Sequence, residues 1–135
     1  MNHNSSKEEN EEEDVVLKFN DYINDHDIDG LEALMSDDHI FIDSVDNSTI
    51  GKANCISAWK GFFEHFPDYN NVFNSVLRTD NLVIILGYST CSSDTRLEGP
   101  VIWTAKFSSS DKKVMEWRVY DDTEENRRQL GLHKD

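Results

Sequence analysis

His39, Asp43 and Asp121 are the residues whose type and placement could do acid–base chemistry. In "HIFIDS" the alternation of an extended strand sets His39, Phe41 and Asp43 on one face and Ile40 and Ile42 on the other. Both faces carry apolar residues, which predicts a strand covered on both sides. A carboxylate in phase with Phe41 is costly to bury unless it is hydrogen-bonded, paired or protonated. Asp43 is therefore either the point where the strand exits into water or a working group in a pocket, where it would act as a general base. In "WRVYDD" the same alternation puts Asp121 in phase with Trp117 and Val119. The plainer readings are a surface histidine for His39 and His65 and a solvated strand end for Asp121.

Other chemistries lack their residues. The chain has no Gly-x-Ser-x-Gly elbow, no phosphate-cradling glycine loop and no His-Glu-x-x-His. Its five histidines include no pair at helical ligand spacing, so no metal site is expected, and no cofactor. Aromatic residues are numerous for so short a chain: Trp59, Phe62, Phe63, Trp103, Phe107, Trp117 and Tyr120. Singly each reads as core packing, and together they permit a pocket for a flat, apolar ligand.

The elements that must position these groups follow from periodicity. Val15, Val16, Phe19, Tyr22 and Ile23 form the stripe of an amphipathic helix. "NDHDIDG" breaks it, and Asp27 is a plausible N-cap for a short second helix with Leu31, Leu34 and Met35. The strand "HIFIDSV" follows, then a polar turn, "DNSTIGK". A third helix is predicted over 53–66, with Ile56, Trp59, Phe62, Phe63 and Phe66 on one side and Pro67 ending it. Strands are predicted over 69–78, 82–92, 100–109 and 114–121, with turns at "TDN", "SDTRLEG" and "SSSDKK". Helices first and antiparallel strands afterwards indicate an α+β domain with helices on one face of a curved sheet.

Composition bounds the rest. At 135 residues the chain is expected to be one domain, over 15–132. Residues 1–14, "MNHNSSKEENEEED", hold six acids and one lysine and are predicted to be a disordered acidic tail. The formal net charge of -14 argues against nucleic acid and anionic membranes as partners. No apolar run approaches ~18 residues, so no membrane helix is expected. No basic, apolar leader begins the chain, which predicts a cytoplasmic protein whose Cys55 and Cys91 are ordinary buried thiols.

The order of these phrases resembles the NTF2-like superfamily, and within it the ketosteroid-isomerase and SnoaL-like polyketide-cyclase branches. "FNDYINDHDIDGLEALMSDDHIFIDSVDNSTIGKANCISAW" resembles the opening of that superfamily, and "VMEWRVYDDTEENRRQLGL" the SnoaL-like ending. The resemblance implies a conical α+β fold, three N-terminal helices packed on a strongly curved, mostly antiparallel sheet that encloses a pocket. It puts Asp43 at the proton-shuttling aspartate of the isomerases. It also puts Phe19 at their oxyanion tyrosine and about Trp103 at their protonated acid, so the base is kept and the oxyanion donors are not. Asp121 or Asp122 falls at the acidic position before "Q-L-G" of the cyclases.

The expected function is thus a cofactor-independent isomerase, cyclase or lyase. Asp43 would be its general base, aided by His39 and Asp121, in a pocket walled by Phe19, Phe41, Trp59, Phe63, Trp103 and Trp117. The substrate would be a small apolar molecule of steroid or polyketide type. The alternative is a non-catalytic ligand-binding or dimerisation module, and a homodimer is expected by resemblance. An adaptor using the outer sheet face, or an epoxide hydrolase built on an inward arginine among Arg78, Arg96 and Arg118, ranks behind both.

Overall fold

Val16, Phe19 and Ile23, spaced to share one side of a helix, are all fully buried on helix α1 (His3–Asp25). The computed structural model describes residues 3–79 and 82–132, with side chains from residue 11 onward, so Asp80 and Asn81 of the turn predicted at "TDN" lie outside the described residues. Helix α1 extends back from the apolar stripe through acidic sequence predicted to be a tail, and the Glu12 carboxylate meets the Arg78 guanidinium and, at 3.6 Å, Lys112 Nζ.

Asp27 caps helix α2 (Ile28–Leu34) by accepting the Gly30 N–H at 2.9 Å, as predicted. Met35 opens strand β1 (Met35–Ile42) instead of closing that helix. Part of the predicted polar turn pairs back on β1 as a short strand, β2 (Ser48–Ile50). Helix α3 (Lys52–His65) then buries Cys55, Ile56, Trp59 and Phe63, and Phe66 caps it one residue before Pro67.

Four strands follow: β3 (Asn70–Thr79), β4 (Leu82–Thr90), β5 (Gly99–Phe107) and β6 (Val114–Asp121). The chain then turns into a helix absent from the sequence prediction, α4 (Glu124–Gln129), capped by Thr123 accepting the Asn126 N–H at 3.1 Å. The six strands form one curved, unclosed sheet in the order β2-β1-β6-β5-β4-β3. Among the described residues only the β1–β6 pair is parallel, so the sheet is mostly antiparallel.

Register decides what faces the helices. Ala105 pairs with Trp117, Trp103 with Val119 and Val101 with Asp121, all on one face. Parallel pairing of Phe41 with Trp117 brings the β1 aromatic onto the same face. The core lies between this face and helices α1 and α3. Among the described residues, no helix is long and apolar enough to cross a membrane.

Candidate functional site

A cavity of about 320 Å³ opens between α3 and the inner face of the sheet. Val101, Trp103, Trp117 and Val119 form its sheet wall, with Phe41 beside them. Cys55, Ala58, Trp59 and Phe62 close it from α3. The ring contacts of Trp59, 5.6 Å from Phe41 and 5.9 Å from Phe62, hold the apolar walls together. Arg96, Leu97 and Glu98 contribute from the segment between β4 and β5, and Pro100 from the start of β5.

Asp43 and Asp121 both line this cavity. Asp43 is the first residue beyond β1, where the chain leaves the strand, and it also lines the cavity. Its Oδ1 accepts the N–H groups of Val45 at 3.0 Å and Asn47 at 2.9 Å, which builds the turn into β2. Its own N–H donates to the Asn47 carbonyl at 3.0 Å. Asp46, at φ 67°, accepts from Arg118 Nη2 at 2.5 Å, tying the turn to β6. The Asp43 carboxylate is half-buried and rigidly mounted at the cavity wall.

Asp121 is exposed and follows Trp117 and Val119 along the lining face. Its neighbour Asp122 is held by Arg127 through Nε at 2.6 Å and Nη2 at 2.9 Å, and that charge-assisted pair keeps its carboxyl below the usual carboxylate range. Of the two aspartates, Asp121 is the one on the cavity.

His39 does not reach the cavity. It is fully buried, with Nδ1 2.6 Å from the Val114 carbonyl, so that nitrogen carries the proton. Nε2 is buried and has no partner among the described residues. Burial pushes the imidazole below its ordinary range, against the Val114 carbonyl and the Asp38 charge, which pull the other way. Phe19 also lies outside the lining. It packs in the core at 4.5 Å from Trp117 and 6.0 Å from His39. Phe63 stacks on His26 at 4.4 Å, behind Trp59. One residue turns a helix by about 100°, and it is Phe62 that the turn of α3 aims at the cavity.

The lining includes a polar group that the sequence reading passed over: Tyr69, Asn71 and Ser89. The Tyr69 hydroxyl lies 3.0 Å from Ser89 Oγ, and Ser89 Oγ donates to Asn71 Oδ1 at 2.7 Å. Asn71 and Ser89 are a β3–β4 register pair, both buried. Burial raises the Tyr69 phenol above its ordinary range, so it is neutral at neutral pH. The available signal was Ser89 in phase with the buried Val83 and Ile85, a hydroxyl where the pattern asks for an apolar residue.

Cys55 also borders the cavity, donating to the Thr49 carbonyl at 3.3 Å, and burial pushes its thiol up, which makes it a poor nucleophile. Arg96 is exposed and its guanidinium is taken up by Asp94 at 2.7 and 2.9 Å. Arg118 pairs with Asp46, as its face opposite Trp117 suggests, and Arg78 pairs with Glu12. Among the described residues no cluster of three or more His, Cys, Asp or Glu is placed to hold a metal ion.

The family model described as SnoaL-like domain matches residues 16–123. A solved structure from Shewanella denitrificans OS-217, titled "Putative SnoaL-like polyketide cyclase", superposes with a TM-score of 0.71 at 20% identity, covering 89% of this chain and 96% of that one. A SnoaL-like protein of unknown function from Burkholderia thailandensis E264 gives 0.68 at 15%, covering 80% and 92%. An NTF2-like protein of unknown function from Cytophaga hutchinsonii ATCC 33406 gives 0.66 at 13%, covering 89% and 94%. Identities this low concern the fold alone. No curated protein sequence matches.

Proposed function

The chain belongs to the SnoaL-like domain family, and from that premise we propose that its cavity binds a small, mainly apolar ring compound and catalyses proton transfer on it without a cofactor. The observation that carries this reading is the arrival of two carboxylates, Asp43 and Asp121, at one aromatic-walled cavity. Extending the β1–β6 register places Asp43 beside Val119, two residues short of Asp121. That separates the two backbones by roughly 7 Å along the strand direction, a span suited to a small substrate.

Asp43 acts as the general base. It takes a proton from the carbon next to a substrate carbonyl, and the C–H electron pair moves onto the carbonyl oxygen as an enolate. The proton then returns from Asp43 at another carbon, or the enolate carbon closes a ring onto a second carbonyl whose oxygen takes the proton. Asp121 stands at the exposed end of the lining as the second carboxylate, placed to exchange protons with water.

The test is hydrogen exchange at an acidic C–H. Incubated with 2-tetralone in deuterated buffer, the protein should speed deuterium uptake beside the carbonyl, read by NMR. Asp43→Asn should lose about a hundredfold of that acceleration or more. An asparagine Oδ1 can still accept the Val45 and Asn47 N–H groups, so the turn survives the substitution. Equal exchange by Asp43→Asn and the wild type removes Asp43 from the role. A second reading, binding without turnover, is favoured by the commitment of Asp43 Oδ1 to its own turn. Saturable binding of 2-tetralone with no acceleration in either protein would establish that reading instead.

A further inference from the structure

Resting on the reading of the cavity as a binding site, we infer that its ligand carries a hydroxyl or N–H group, which is received by the oxygen of Tyr69. Tyr69, Asn71 and Ser89 are the neutral polar side chains gathered where β3 and β4 meet the cavity. A hydroxyl has one hydrogen to give. Ser89 gives its hydrogen to Asn71 Oδ1 at 2.7 Å, so the 3.0 Å contact with Tyr69 is made by the Tyr69 hydrogen pointing at Ser89 Oγ. The Tyr69 oxygen then gives its hydrogen away and keeps its lone pairs to accept one.

The residues behind this group keep it in place. Helix α1 clamps the Asn71 backbone from both sides. Its N–H donates to Asn24 Oδ1 at 2.8 Å, and its carbonyl accepts Asn24 Nδ2 at 2.9 Å and Asn20 Nδ2 at 3.3 Å. Asn71 is 3% exposed and Ser89 2%, so water does not compete for these bonds. The ring of Tyr69 is fixed edge-on against Phe62 at 4.8 Å. The order of the group is therefore built in before a ligand arrives.

This has a consequence for selectivity. At the Tyr69 oxygen itself a ketone or ether oxygen meets another acceptor, whereas a ligand hydroxyl can donate to it. The cavity is thus apolar along its aromatic walls, carries carboxylates at Asp43 and Asp121, and ends in a neutral acceptor at Tyr69. A ring compound with a hydroxyl at the Tyr69 end completes that sequence of surfaces better than one with a ketone there, whatever group lies beside Asp43.

Isothermal titration with four probes of one ring system reads the inference: naphthalene, 2-naphthol, 2-methoxynaphthalene and 2-acetonaphthone. The expected result is that 2-naphthol binds about tenfold more tightly than 2-methoxynaphthalene or 2-acetonaphthone. In Tyr69→Phe that preference should vanish while the affinity for naphthalene stays within about twofold, which also reports that the variant is folded. A Tyr69-dependent preference for 2-acetonaphthone would mean that the hydroxyl donates, and overturns the inference. So does a preference for 2-naphthol that persists in Tyr69→Phe, or a parallel loss of naphthalene affinity in that variant. Binding of all four probes without discrimination overturns the inference and leaves the cavity as a site. Binding of none overturns the reading on which it rests as well.

Discussion

His39 spends one ring nitrogen on the Val114 carbonyl and keeps the other buried without a partner among the described residues, so the fold accommodates its neutral form. Desolvation lowers its pKa below the ordinary 6.5, and Asp38 is the charge that opposes the shift. Below that ordinary value the unfolded chain binds a proton that the folded one resists. Stability is therefore complete above about pH 6.5 and is lost as the pH falls toward the lowered folded value. Asparagine at this position keeps an amide donor for Val114 and removes the titration. The melting temperature of the wild type should fall relative to that of His39→Asn between about pH 7 and about pH 5; a difference independent of pH refutes this. The case also marks what the sequence could tell of the site. Alternation grouped His39 and Phe41 on one face of β1, with Asp43 next in phase just beyond its end. It could not say that the face is divided along its length, with His39 sealed in the core and Asp43 at the cavity. His39 falls within the β1–β6 register shift between Met35 and Ile40, a feature of strand pairing that alternation does not carry.

At the scale of elements, the join of β3 and β4 carries the polar end of the cavity, and Gly87 sets how close the two strands come. A Cβ on Gly87 would lie 2.0 Å from the Val72 carbonyl oxygen, with the β3 irregularity between Phe73 and Ser75 immediately alongside. Backbone cannot swing away as a side-chain tip can. Gly87→Ala should therefore destabilise the protein by about 1–3 kcal/mol, as overpacking typically does, seen as a lower urea midpoint. It should also loosen the neighbouring Asn71–Ser89 pair. A midpoint equal to that of the wild type would show that the strands separate freely. The elements legible from sequence were those with an apolar stripe, a run of alternation or a clear cap: α1, α2 with its Asp27 cap, β1, α3 and β3–β6. Those it missed have neither stripe nor alternation. Helix α4 has six residues and buries none, and its support is the Thr123 cap, Glu124 and Glu125 at its start and Arg127 and Arg128 at its end. Strand β2 has three residues and exists by pairing with β1.

For the molecule as a whole, 27 acids stand against 13 lysines and arginines. Even if every base were paired, the whole net charge of -14 would be left to repel itself, and compactness concentrates that repulsion. Salt acts on this balance in two directions. It weakens the exposed ion pairs, such as Lys52–Asp37 at 3.1 Å with the aspartate 99% exposed, which are each worth little. It also screens the net repulsion, which is spread over the whole surface. The second effect is the larger one for a chain of this charge. Raising sodium chloride from about 0.01 M to about 0.15 M shortens the screening length from ~30 Å to ~8 Å, so the melting temperature should rise across that range. Choline chloride should give the same direction, since the effect belongs to ionic strength and not to a bound cation. A melting temperature that falls with both salts would show that the ion pairs, Glu12 with Arg78 and Lys112 foremost, outweigh the repulsion. The same negative field opposes the approach of an anionic ligand to the cavity. A neutral compound that offers a hydroxyl to Tyr69 meets no such barrier, so its affinity should change little over the salt range that shifts the melting temperature.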